Sequence, residues 1–262
     1  MRVLCLHGQG TNSRILRAQT ESFRRLLPDH YEFFYLDGAY ECGPGEGVAG
    51  VFPGPYRCYY PMPPTQGSLR QAHELVLDAV DRDGPFDVVL GFSQRNHKGR
   101  SHDADTDADA DPPLFRAAVF LCASQPFSIS PRAGLDCSAD FDLTAAATTI
   151  SAGAISRSVD DGSSSDSSSP TASSSEDEDV EGNVDATVRR FDPSHDPHRI
   201  GIPTAHVLGK LDRWAPQGRK LVDLCAEGTA LLFAHRLGHV VPRDAAASAA
   251  IAEVVERVAV GM

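Results

Sequence analysis

Asp87-Val88-Val89-Leu90-Gly91-Phe92-Ser93-Gln94 reads as a strand that ends on a serine. The run Phe86 to Leu90 is short, apolar and rich in branched residues, which suits a strand covered on both faces. Gly91 stands two residues before Ser93, the front half of a G-x-S-x-G nucleophile elbow. Such a turn lifts the serine Oγ above the sheet. Strand and helix meet so tightly there that the neighbours at minus two and plus two must be very small. The plus-two position in this chain is Arg95. A G-x-S after a strand carries little alone, so its weight depends on the rest of the chain.

Runs of the same kind recur at Arg2 to Leu6, Glu32 to Leu36, Phe115 to Cys122, Thr204 to Leu208 and Ala230 to Ala234. Helical patterns lie between and after them: Ile15 to Leu27, Leu69 to Val80 with Leu69, Ala72, Val76 and Val80 on one face, Arg219 to Cys225, and Ala245 to Val258. This alternation predicts an α/β fold, a mostly parallel sheet with helices on both faces, as one domain over residues 1–262. Two polar inserts interrupt it. Residues 95–113, RNHKGRSHDADTDADADPP, hold no apolar side chain larger than alanine and stand where the helix after the serine belongs. Residues 145–190 include SSSDSSSPTASSSEDEDVEG and are expected to be disordered.

The formal net charge is −12. Asp103 to Asp111 holds five acids and Asp160 to Glu181 eight, neither with Lys or Arg, so removing those thirteen leaves the remainder at +1. The acidity belongs to the inserts, and nothing in the balance suits nucleic acid or an anionic membrane. The six cysteines have no CxxC or Cys/His spacing for zinc and read as buried or half-buried thiols. Met1 to Gly8 is too short an apolar run for a signal peptide, and no 18 apolar residues run together. The expected location is the cytoplasm, with the nucleus as the alternative.

Downstream, Asp212 follows the strand Thr204 to Leu208, and His239 follows the strand Ala230 to Ala234. Ser93, Asp212 and His239 therefore each stand beyond a strand end, in the chain order of an α/β-hydrolase triad. After the first strand, His7-Gly8-Gln9-Gly10-Thr11 supplies a flexible turn, and the backbone N–H groups of Gln9 and Gln94 are the candidate oxyanion donors. The turn lacks the third glycine of a dinucleotide fingerprint, so it is not read as a dinucleotide site. Trp214, Tyr59 and Tyr60 are candidate pocket walls. No metal is expected: the alternating aspartates from Asp103 to Asp109 have Ala108 where a calcium loop requires glycine, and His195 and His198 read as a proline-broken loop. Ser173 to Ser175 precede an acidic run that suits kinases, though plain solvated chain accounts for them.

LCLHGQGTNS, FFYLDGAYE, GFSQ, PLFRAAVFLCASQPF, HRIGIPTAHVLGKLD and HRLGHVVP, in this order, resemble the fungal FSH-type serine hydrolases, a family that includes polyketide-releasing thioesterases. The resemblance implies an α/β-hydrolase domain with little or no cap and no cofactor. It also implies Ser93 as nucleophile, Asp212 as acid and His239 as base. The implied partner is a small-molecule acyl ester or thioester, free or held on a carrier protein. The chain departs from the family after GFSQ, where the small and apolar run of the following helix is replaced by residues 95–113. Two readings follow: a working serine esterase or thioesterase, or else a non-catalytic or degenerate hydrolase-fold binding protein or a mis-spliced coding sequence of an active hydrolase.

Overall fold

The structure, a computed structural model, describes residues 1–93, 113–130, 132–141 and 187–261. Six strands form one sheet: β1 (Arg2–Leu6), β2 (Glu32–Leu36), β5 (Val88–Phe92), β6 (Ala117–Leu121), β9 (Thr204–Gly209) and β10 (Ala230–His235). Their order is β10-β9-β6-β5-β1-β2 and every pairing is parallel. The four inner strands are buried almost throughout, while edge strands β2 and β10 are partly open. That gradient explains why the inner strands read as continuous apolar runs.

Side chains alternate across the pleat into two cores. Val3, Cys5, Val88, Leu90, Val119 and Val207 face the helices α1 (Ser13–Gln19), α2 (Glu21–Arg24) and α5 (Ala245–Ala259), which contribute Leu16, Phe23 and Ile251. Leu4, Leu6, Val89 and Phe120 face α3 (Gln66–Asp83) and α4 (Ala215–Asp223), which contribute Leu69, Val76 and Leu221. The expected sheet with helices on both faces is therefore what the chain forms. No helix among the described residues is long and apolar enough to cross a membrane.

Several boundaries move for local reasons. The helix expected over Ile15 to Leu27 divides at Thr20, whose Oγ1 donates to the Leu16 carbonyl at 2.8 Å and offers the backbone an alternative to the helical ladder. Helix α3 begins before Leu69 because Thr65 and Ser68 cap it reciprocally. Strand β5 runs on through Gly91 and Phe92, which pair with Phe120 and Leu121 of β6. Two antiparallel ribbons flank the sheet: β3 (Tyr40–Glu41) with β4 (Arg57–Cys58), and β7 (Leu135–Asp136) with β8 (Arg189–Arg190).

Residues 95–112 of the first insert lie outside the described residues, as do 142–186, which hold most of the second. The boundary drawn at residue 190 overshoots. Val188 is buried, and Arg189 and Arg190 pair with Asp136 and Leu135, because the two-residue ribbon supplies backbone partners from a distant part of the chain.

Candidate active site

The chain proceeds from β1 outward to β2, then crosses to the other side of β1 for β5, β6, β9 and β10. The sheet's direction of growth thus reverses between β1 and β5. In parallel α/β sheets, the crevice beyond the strand ends at such a reversal is where ligands bind. The turn His7 to Thr11 leaves the end of β1, and Ser93 leaves the end of β5.

Ser93 has φ 59, a left-handed backbone that non-glycine residues rarely adopt. Its N–H donates to the Leu121 carbonyl at 3.0 Å, so the pairing with β6 holds the turn in place. Strain of this kind is kept at sites where the surroundings over-determine it. Ser93 adopts this backbone with Arg95, which lies outside the described residues, at plus two in the sequence.

The acid and the base come from adjacent loops. Asp212 is buried, and its two carboxylate oxygens have separate duties: Oδ1 accepts from the Trp214 N–H at 2.8 Å and Oδ2 meets His239 Nδ1 at 2.7 Å. The His239 ring is half-buried and lies tilted against Phe92, with ring centres 5.2 Å apart. Lys210 N–H to the His235 carbonyl (2.8 Å) and Leu211 N–H to the Leu237 carbonyl (3.1 Å) zip the two loops together. Gly209 makes this approach feasible, since a Cβ there would stand 2.2 Å from the Gly238 carbonyl oxygen.

Cys122, at the end of β6, was not singled out from the sequence. It too is left-handed, with φ 46. The Leu237 N–H donates to His235 Nδ1, leaving the ring proton on Nε2, which faces Cys122 Sγ at 3.8 Å. The thiol in turn donates to the Val240 carbonyl at 3.5 Å, next to the base. Burial, reinforced by the Asp212 carboxylate, pushes the thiol pKa up to about 12. Cys122 Sγ, an Asp212 oxygen and a His239 nitrogen lie within 4.8 Å of one another, the one cluster of potential metal donors among the described residues.

The β1 turn is built around His7, which is fully buried. Gly38 N–H donates to its Nε2 at 2.9 Å, so the proton sits on Nδ1 and is donated to the Gly8 carbonyl at 2.8 Å. Burial holds His7 below its usual pKa and therefore neutral. Gly10 has φ 70 and its carbonyl accepts from the Gly45 N–H at 2.9 Å, while its own N–H is taken by the Arg57 carbonyl. The Gln9 N–H has no acceptor among the described residues, and Gln9 lines the same cavity as Ser93. Gln94, the other candidate oxyanion donor, lies outside the described residues.

These groups meet in a cavity of about 770 Å³, lined among others by Gln9, Ser93, Cys122 and His239. Tyr60 and Trp214 form part of its wall, as expected. Tyr59 does not. It is buried beneath the turn, where its hydroxyl donates to the Leu36 carbonyl at 2.7 Å and accepts from the His7 N–H at 3.2 Å. His195 and His198 sit exposed in the loop before β9, and the calcium-like and serine-rich motifs lie outside the described residues. Arg190, which was assigned to the disordered insert, lines the cavity. Pairing with Leu135, 55 residues away, and a bridge to Phe127 draw it there, and no local pattern announces it.

A profile described as serine hydrolase (FSH1) matches residues 1–251. Esterase alnB of Emericella nidulans is 29% identical over a 266-residue alignment that covers 93% of this chain and 91% of that protein. Esterase FPY3 of Fusarium mangiferae is 28% identical over 248 residues, covering 93% of this chain and 89% of its own length. Among solved structures, esterase PE8 aligns at 16% identity and a TM-score of 0.46, over 97% of this chain and 91% of that one.

Proposed function

The chain belongs to the serine hydrolase (FSH1) family of α/β-hydrolases, and we propose that it cleaves an acyl ester or thioester of a small metabolite, with Ser93 as nucleophile, His239 as base and Asp212 as acid. The observation that carries this reading is Ser93 itself, in left-handed backbone on the wall of a cavity it shares with an Asp-paired histidine. A serine in a plain βα turn needs no such conformation.

The chemistry follows from the hydrogen bonds. Asp212 Oδ2 engages His239 Nδ1, so Nε2 is the nitrogen available to take a proton. Ser93 Oγ attacks the acyl carbon as its proton passes to Nε2. The carbonyl oxygen becomes an oxyanion, which the N–H groups of Gln9 and Gln94 receive. Collapse of this intermediate breaks the bond to the alcohol or thiol, which leaves with the proton held by His239. Water then gives a proton to His239, attacks the acyl-Ser93 ester and releases the acid, restoring the serine. The relatives' names favour an ester over a thioester as the first substrate to try. A metabolite of polyketide type, free or on a carrier protein, is the class that the resemblance to polyketide-releasing enzymes suggests.

The test is labelling with a fluorophosphonate probe, paired with hydrolysis of 4-nitrophenyl butyrate. Modification at Ser93, lost together with turnover in Ser93→Ala, is the expected outcome. A folded protein that takes up no probe overturns the reading and leaves a hydrolase-fold binding protein.

A further inference from the structure

The esterase reading leaves one group in the cavity without a task. Arg190 lines it, yet the residue is only 8% exposed. Its backbone is fixed on two sides, by pairing with Leu135 and by a bridge to Phe127. Its guanidinium lies 4.2 Å above the Phe127 ring. Nη1 donates to Gln217 Oε1 and to the Gln125 carbonyl, the guanidinium also meets the Cys137 thiol, and all three partners are neutral, while Nε is buried with no nitrogen or oxygen acceptor among the described residues.

The charge is also unbalanced. No carboxylate pairs with Arg190 among the described residues. Asp192, two residues on, is taken by the Lys220 ammonium at 2.9 Å, which holds its carboxyl well below the usual range. Around the cavity, Glu46 is paired with Arg213 at 4.0 Å. The Cys137 thiol hydrogen-bonds with Arg190, but burial outweighs the arginine and raises its pKa, and the thiol donates to the Val188 carbonyl, so it brings no negative charge. A buried cation without a counter-ion is costly. A neutral side chain could hold Gln217 at less expense, so the guanidinium is what asks for an explanation.

We propose that Arg190 is a substrate-recognition residue for an anionic group, and that the favoured substrates are esters or thioesters bearing a carboxylate. This rests on the esterase reading of the same cavity and adds the class of substrate to it. The site is preorganised: the aromatic floor and the two neutral acceptors orient the planar fork before any ligand arrives. A carboxylate entering it accepts the unused hydrogens and supplies the missing charge. The carboxylate belongs either to the acyl chain or to the alcohol part, and chain length distinguishes them.

The test uses the full-length protein with mono-4-nitrophenyl glutarate, adipate and suberate, each against the uncharged 4-nitrophenyl ester of equal length. A parallel set carries the carboxylate on the leaving group. The readout is the ratio of kcat/KM for acidic over neutral ester, taken within each protein so that general losses cancel. The expected ratio is roughly 10- to 100-fold at the chain length that reaches Arg190. Arg190→Gln should collapse it, and Arg190→Lys should keep part of it. Ratios at or below one at every length in the unmutated protein, in both sets, overturn the proposal, as does an equal preference in Arg190→Gln. The unmutated comparison decides the matter even if a variant fails to fold. Should no ester be hydrolysed, the esterase reading fails on its own, and calorimetry judges the anion site separately. Octanoate should then bind roughly tenfold tighter than octanamide, and equal affinities overturn it.

Discussion

Replacing Asp212 with asparagine tests the triad without emptying space, because the two side chains have nearly the same shape. The Trp214 N–H holds Oδ1 at 2.8 Å, so the asparagine must keep its carbonyl oxygen there and turn its NH2 toward His239. The partner of His239 Nδ1, now an oxygen acceptor at 2.7 Å, becomes a donor. Nδ1 must then accept, which moves the ring proton to Nε2, the nitrogen that has to be bare to take the Ser93 proton. The base is therefore held in the wrong tautomer while the loops stay in place. A fixed wrong tautomer of this kind costs on the order of 10⁴-fold in kcat, or about 5.5 kcal/mol of transition-state stabilisation. The assay is kcat for 4-nitrophenyl butyrate, with the rate of fluorophosphonate labelling as a second readout and a melting curve to show that the variant folds. Both rates should fall together. A folded Asp212→Asn that loses less than tenfold refutes the assignment of Asp212 as the residue that sets the His239 tautomer.

Gly209→Ala places a Cβ 2.2 Å from the Gly238 carbonyl oxygen and 2.8 Å from that of Leu237, both backbone atoms that cannot swing aside. A loss of about 2–3 kcal/mol in urea denaturation is expected, with a fall in kcat as the acid and base loops part; unchanged stability would refute the close approach. His7 predicts a pH dependence: its folded pKa is lowered from 6.5 by burial, so the unfolded chain binds the proton more readily. Stability is fully present above about pH 6.5 and is lost as pH falls toward the folded value, with His235, also lowered by burial, acting in the same direction. His7→Asn should flatten that slope in denaturant titrations carried downward from about pH 6.5, and an unaltered slope would show that His7 is not the group responsible.

What could be read from the sequence is what depends on short stretches of chain. Strands buried on both faces must be apolar at every position, so Arg2 to Leu6 and Thr204 to Leu208 declared themselves, and the order of such runs with helical patterns between them implied a parallel sheet. Ser93, Asp212 and His239 were legible because each lies just past one of these runs. The structure brings Asp212 and His239 into contact and opens Ser93 onto the cavity that His239 lines. The left-handed turn at Ser93 was only half legible: Gly91 announced it and Arg95 argued against it, until pairing with Leu121 held it.

Other features depend on partners far away in the chain, and no local pattern encodes them. Tyr59 reads as a pocket aromatic until Leu36 and His7 claim its hydroxyl beneath the turn. Cys122 is one thiol among six until β10 brings His235 and Val240 against it. Arg190 follows a stretch rich in serine and acid, yet pairing with Leu135 buries it in the cavity as a cation without a carboxylate among the described residues. The sequence by itself therefore determined the sheet and its candidate triad, since burial and strand ends leave periodic, local traces. Only the tertiary structure decided which charges and hydrogen-bond donors the cavity leaves unmatched, because whether a polar group is satisfied depends on everything packed around it.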